Sequence, residues 1–247
     1  MKFLVDIGNT RLKWALWDGA ALAHAGALPH AGGDVDFASL WKNIPNVAPA
    51  SAWIASVAAP ALAAALARAL AARFGIEARF VRSSASACGV RNAYAQPERL
   101  GVDRFLGLVA AHAEVPGPVV VAGCGTALTI DALAADGEHI GGLIAPSPAL
   151  MRSALTAGTA RLGDLREGSV VDFAADTAAA VESGVWLAAV ALVERFHARA
   201  AARWGSPPAL LLTGGGADRL AALIALPHRA DRDLVLRGLA RYADAAS

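Results

Sequence analysis

Residues 3–16, FLVDIGNTRLKWAL, return as residues 120–133, VVAGCGTALTIDAL. Aligned without a gap, Gly8 falls on Gly125, Ala15 on Ala132 and Leu16 on Leu133. Each copy reads as an apolar strand, a polar turn with glycine, and a second apolar strand. Each also opens a half of similar length. The 247-residue chain therefore reads as two similar mixed α/β domains, each starting with a hairpin, around a cleft suited to a ligand. Pro116-Gly117-Pro118 marks the expected boundary and gives domains 1–115 and 116–247.

Outward from the hairpins, Ala52 to Val57 and Glu77 to Val81 read as strands. Between them Pro60 to Phe74 is a helix, with Pro in the first turn, Leu62, Leu66 and Leu70 on one face and Gly75 as a stop. Pro97 to Ala113 is a second helix. In the second half Ile140 to Ile144 and Ala209 to Leu212 are strands. Met151 to Ala157 and Asp176 to Arg203 are helical, and another helix begins at Arg219 to Ala225.

Hydrophobic residues make up 56% and charged residues 17%, enough to bury a sizeable core. Formal net charge is +1 with no basic run, which argues against nucleic acid as a partner. Mean hydropathy is +0.45. The most apolar stretch, Val57 to Ala72, is broken by Pro60 and Arg68, so no membrane span is expected. Asp6 comes too early for a signal-peptide core. Cys88 and Cys124 are far apart and form no metal pattern. The expectation is a reduced, cytoplasmic protein.

Four motifs carry chemistry. In Asp6-Ile7-Gly8-Asn9-Thr10-Arg11-Leu12-Lys13, a glycine turn exposes amides beside Asn9 and Thr10. Lys13 supplies a point charge and Asp6 a ligand for Mg²⁺, directly or through water. Gly125-Thr126 offers a like phosphate cradle from the other half. Thr213-Gly214-Gly215-Gly216 follows an apolar strand and could let a nucleoside ring lie on backbone, or could be a plain strand-to-helix turn. In Gly101-Val102-Asp103-Arg104, the arginine suits a carboxylate and the aspartate suits an alcohol proton, although Asp103 could equally complement a helix dipole. There is no P-loop, no protein-kinase HRD or DFG set, no GxSxG elbow and no HExxH.

In order along the chain, DIGNTRLKWAL (6–16), Tyr94 before LGVDRFLGLVAAH (100–112), GTALTID (125–131), GGLIAPSPALMRSAL (141–155), Asp176-Thr177 and LTGGGA (212–217) resemble type III pantothenate kinase. The resemblance implies the acetate and sugar kinase/Hsp70/actin fold class: two ribonuclease-H-like domains around a nucleotide cleft. It implies an ATP- and Mg²⁺-dependent transferase that phosphorylates pantothenate at the entry to coenzyme A synthesis. ATP phosphates would lie across Asp6 to Lys13 and at Thr126, and pantothenate at Tyr94, Gly101, Val102, Asp103, Arg104 and Thr177, with Asp103 as general base. It also implies a homodimer, in which Thr177 serves the partner's substrate, and a monovalent cation, potassium or ammonium. One residue departs from the pattern: Gly123 stands where the family usually carries an aspartate for that cation. This leaves the cation site lost, weakened or completed by backbone carbonyls. Two rivals remain, a kinase of the same fold acting on another hydroxylated acid and a nucleotide-binding regulator without turnover.

Overall fold

A computed structural model of the chain describes residues 1–30, 36–44, 48–159, 166 and 168–246. It divides into two compact units. One comprises Met1–Glu114, Asp136–His139 and Asp233–Ser247; the other comprises Val115–Ala135 and Ile140–Arg232.

The first unit opens with strands β1 (Lys2–Ile7), β2 (Arg11–Trp17) and β3 (Leu22–Pro29), then helix α1 (Phe37–Lys42), β4 (Ser51–Ser56), α2 (Pro60–Phe74) and β5 (Ala78–Val81). A short pair, β6 (Ser86–Ala87) and β7 (Val90–Arg91), a 3-10 turn (Pro97–Arg99) and α3 (Val102–Glu114) follow. The sheet order is β3-β2-β1-β4-β5. Central β1 is antiparallel to β2 and parallel to β4. Buried on both faces, it needs an unbroken apolar run. Phe3, Val5 and Ile7 pack with Leu12, Ile54 and the α2 leucines 62, 66 and 70. Leu4, on the opposite face, packs with Ala15, Ala55, Val102 and Leu106. Since side chains alternate along a strand, Asp6 shares the face of Leu4, the one covered by α3.

The second unit holds β8 (Val119–Cys124), β9 (Ala127–Leu133), β10 (His139–Pro146), α4 (Pro148–Gly158), α5 (Thr177–Trp204), β11 (Ala209–Thr213), α6 (Ala217–Leu223) and β12 (Arg229–Ala230). Its sheet order is β10-β9-β8-β11-β12, the order of the first sheet strand for strand. The repeat seen in the sequence is therefore a repeat of topology. Its gapless alignment fails after the glycine, however. Ile7 pairs with Leu12 across the first turn, but Cys124 pairs with Leu128 across the second. The second turn is one residue shorter, so Thr129 faces Gly123 where Lys13 faces Asp6. The Ala15/Ala132 and Leu16/Leu133 matches are thus out of register; a one-residue slip exchanges the faces of a strand.

The last helix, α7 (Leu234–Ala245), belongs to the first unit. A single boundary at 115/116 would leave this helix with the second half. Its apolar residues Leu236, Leu239, Ala240 and Ala243 join Leu4, Ala15, Trp53 and Leu106 in one cluster. Gly238 permits the approach, because a Cβ there would collide with the Leu106 backbone. Strands β3, β6, β7 and β12 and helix α1 were also not anticipated. The expected helix from Pro97 is broken: the 3-10 turn ends at Arg99 and α3 starts only at Val102.

The membrane expectation needs correction in one respect. Helix α5 has 28 residues and a hydropathy of 1.4, so by length and composition it could cross a membrane. It lies far from residues 57–72, the stretch on which the expectation rests. In the fold, α5 is a core helix: Val185, Trp186, Ala189, Val190 and Val193 pack against residues of β8, β9 and β11. Its Glu182 is buried and ion-paired with Arg152 and Arg219 at 2.7 Å each. A helix with that buried, doubly paired carboxylate fits a protein interior.

Candidate active site

Asp6 closes the apolar run of β1 and pairs across the hairpin with Lys13. Directly opposed residues of antiparallel strands share a face. Asp6 is 8% exposed, and its Oδ1 is buried without a hydrogen-bond partner among the described residues. Burial first, and the negative charge of Asp103 second, push its pKa from 3.8 up to about 7, while Lys13 pulls it down. The structure thus brings Asp6, Lys13 and Asp103 into one electrostatic group, joining segments nearly one hundred residues apart.

The turn between β1 and β2 is closed by the Gly8 amide donating to the Arg11 carbonyl at 2.9 Å. Asn9, Thr10 and Arg11 are exposed on it, whereas Ile7 and Leu12 are core residues. A residue the sequence did not suggest braces this turn. The His30 amide donates to the Thr10 carbonyl at 3.0 Å, and His30 Nε2 lies 2.7 Å from the Gly8 carbonyl. That second contact requires the proton on Nε2. His30 stands 22 residues from Gly8, outside any local motif.

Asp103 sits in the first turn of α3, where its charge complements the helix dipole. Its Oδ1 accepts from the Arg104 amide at 2.9 Å. The helix-dipole role considered for it is therefore present. Arg104 is buried, and its Nη1 donates to the Tyr94 hydroxyl at 3.1 Å, with the guanidinium 5.8 Å from the Tyr94 ring centre. Gly101 precedes the helix and accepts from the Phe105 amide at 3.0 Å, and Val102 is buried.

In the second unit Gly125 and Thr126 form the exposed tip of the β8–β9 hairpin, with the Gly125 amide donating to Ala127 at 2.9 Å. The three glycines after β11 are not equivalent. Gly214 has φ 92°, and a Cβ there would strike the Cys124 carbonyl. A Cβ at Gly216 would come 2.6 Å from Cys124 Sγ, while one at Gly215 would meet nothing. Gly214 and Gly216 thus let this turn pack against β8, beside the Gly125-Thr126 tip, and Gly215 is the open position. Thr177 is the exposed first residue of α5, behind the cap Asp176, whose carboxylate accepts from Ala179 at 2.9 Å.

Among the described residues no group of three or more His, Cys, Asp or Glu could hold a metal. Mg²⁺ does not need one. It keeps several waters and takes one or two carboxylates plus phosphate oxygens. An unpartnered buried carboxylate oxygen on Asp6 fits that requirement.

Two sheets of one strand order, each opening with a glycine hairpin, define the acetate and sugar kinase/Hsp70/actin class. The "putative 2-dehydro-3-deoxygalactonokinase" of Sinorhizobium meliloti has this fold in common, with a TM-score of 0.62 at 16% identity over 100% of this chain and 99% of that one. A family model described as type III pantothenate kinase matches residues 2–199. The type III pantothenate kinase of Xanthomonas axonopodis pv. citri is 46% identical over 247 residues, covering 100% of this chain and 98% of the relative. That of Burkholderia lata is 40% identical over 259 residues, covering 99% and 95%. The chain belongs to the type III pantothenate kinase family.

Proposed function

We propose that this chain transfers the γ-phosphoryl group of ATP to the primary hydroxyl of pantothenate, the first step of coenzyme A synthesis. The observation that carries the reading is the grouping of Asp6, Lys13 and Asp103 beside the Tyr94–Arg104 pair, within a chain similar along its whole length to pantothenate kinases. Asp103 takes the alcohol proton as the oxygen attacks phosphorus. Arg104 and Tyr94 hold the carboxylate end of the acid, and Gly101 and Val102 shape the approach. Lys13, Asn9, Thr10 and the turn amides hold phosphate oxygens; in the second unit, Thr126 on its own glycine hairpin offers a like cradle. Gly214 and Gly215 bound the nucleoside. Asp6 would hold Mg²⁺ or its waters, which supplies charge neutralisation on the phosphates. Phosphoryl transfer asks the protein mainly for position and charge.

Purified protein is assayed for ADP formation with and without pantothenate. Pantothenate-dependent ADP matched by phosphorylated product is expected. Turnover with a different hydroxylated acid alone would transfer the reading to that acid. ATP binding without turnover in potassium, ammonium or sodium would replace it with a regulator.

Gly123 bears on the monovalent cation. Its would-be Cβ lies 2.8 Å from Thr129 Oγ1 and 3.7 Å from Thr213 Cγ2. A threonine hydroxyl therefore occupies the space a longer side chain would enter, and position 123 itself supplies no carboxylate. We expect turnover to persist when potassium and ammonium are replaced by sodium. Activity abolished by that exchange would show a working cation site built from other groups.

The reading includes a cytoplasmic homodimer. Edge strand β10 exposes Leu143 (42%) and Ile144 (65%), and α4 exposes Leu150 (46%) and Leu155 (42%). An exposed apolar edge invites a second chain, and the reading includes Thr177 serving the partner's substrate. Ile144→Asp is expected to halve the mass seen by sedimentation equilibrium. An unchanged dimer would exclude this face.

A further inference from the structure

Tyr94 lies in an irregular stretch, so something other than a regular element must hold it. Its own amide donates to Asn92 Oδ1 at 3.0 Å, and Asn92 Nδ2 donates to the carbonyls of Ser84 and Pro97 at 3.3 and 3.0 Å. The remaining hold comes from Asp136–His139. The Arg91 amide donates to Gly137 at 2.8 Å, and its guanidinium reaches the Asp136 carbonyl at 3.0 Å and the Asp136 carboxylate at 2.7 Å. At the end of this clamp stands His139, 1% exposed. Its ring stacks on Tyr94 at 6.2 Å between centres and 13° between planes. Its Nδ1 accepts from the Ala93 amide at 3.5 Å, which leaves the ring proton on Nε2.

We infer that His139 is a positioning residue: by stacking on Tyr94 it fixes the Tyr94 hydroxyl against the Arg104 guanidinium and so sets the affinity for the acid substrate. The inference rests on Tyr94 and Arg104 holding that substrate. The physical case is direct. Tyr94 has one ring face near the Arg104 guanidinium, and a ring lacking a second support can rotate about its side-chain torsions. A near-parallel neighbour at this separation is a favourable aromatic arrangement. It removes the rotation before substrate arrives, so binding need not supply that ordering. A buried imidazole is a costly choice for packing alone. Here its acceptor nitrogen is used on Ala93, the residue just before Tyr94, so one side chain fixes both the backbone and the ring.

Three variants separate these contributions. His139→Ala removes ring and acceptor, His139→Phe keeps a ring, and His139→Asn keeps an acceptor near Nδ1. His139→Ala is expected to raise KM for pantothenate about 3- to 10-fold, leaving kcat and KM for ATP unchanged. His139→Phe is expected to recover most of that loss, and His139→Asn less. The chain has two tyrosines, Tyr94 and Tyr242. NMR of ¹³C-labelled tyrosine rings, assigned with Tyr94→Phe, should therefore show the Tyr94 signal moving in His139→Ala while Tyr242 stays. A wild-type pantothenate KM in His139→Ala overturns the inference. So does a His139→Phe variant as impaired as the alanine, or an equal loss in kcat and both KM values with lowered Tm. Wild-type protein that does not turn over pantothenate would overturn the substrate reading instead. In that case the Tyr94 signal still decides: if unmoved in His139→Ala, His139 does not position it.

Discussion

Asp103→Asn is expected to lower kcat by about 10²- to 10⁴-fold. The substitution is nearly isosteric. Asparagine keeps an Oδ1 that can accept from the Arg104 amide, as Asp103 does at 2.9 Å. The start of α3 should therefore survive, with Tm little changed. What is lost is a base for the alcohol proton. ATP affinity should change only modestly, since Asp103 lies on α3 and not on the phosphate turn. Removing its charge should also make Asp6 easier to ionise, because Asp103 is one cause of the raised Asp6 pKa. Steady-state kinetics with both substrates, together with ATP binding by calorimetry, check these points. Near-wild-type turnover would remove Asp103 as the base.

Asp6→Asn should separate function from stability. Catalytically, kcat/KM for ATP is expected to fall on the order of 10²–10³-fold, the scale of losing one preorganised charge-stabilising group. The rise in Tm that MgATP gives the wild type should shrink with it, because a ligand stabilises a fold only as tightly as it binds. Without ligand the variant should be the more stable protein at neutral pH. The folded Asp6 pKa is raised to about 7 from 3.8. Between about pH 4 and 7 the folded chain thus holds a proton that the unfolded chain has released. Wild-type stability falls as pH rises through that window and stays lower above it. Asparagine does not titrate. The stability advantage of Asp6→Asn should be absent near pH 4, grow towards pH 7 and level off above it, reaching on the order of 4 kcal/mol. A Tm difference that does not depend on pH would mean that Asp6 ionises without penalty in the fold.

The pairing of costs at Asp6 explains why the residue is legible as functional. A carboxylate closing a buried strand, with an orphaned oxygen, does not help the apo chain fold. A bound cation, as proposed for Mg²⁺, would compensate it beyond what Lys13 supplies. The same logic separates the glycines after β11. Gly214 and Gly216 answer to the packing of Cys124, and only Gly215 is open. The sequence reading treated the run as one motif because glycine spacing does not reveal which side a neighbour approaches from.

The sequence by itself determined the two hairpins, the α2 helix between Pro60 and Gly75, the mixed α/β class and the candidate residues Asp6, Lys13, Asp103 and Arg104. These rest on local rules: apolar period, glycine and proline stops, and acid or base side chains at strand and helix ends. Tertiary structure alone decided the rest. It moved α7 into the first unit, since an amphipathic helix takes whichever apolar face it meets, however distant in the chain. It shortened the second hairpin turn by one residue, putting Thr129 opposite Gly123. It set Asp103 within the field of Asp6, His30 under the Gly8 turn and His139 against Tyr94. Apart from the hairpin turn, each of these joins residues far apart in sequence. Their pairing follows from chain packing, and local sequence carries no signal of it.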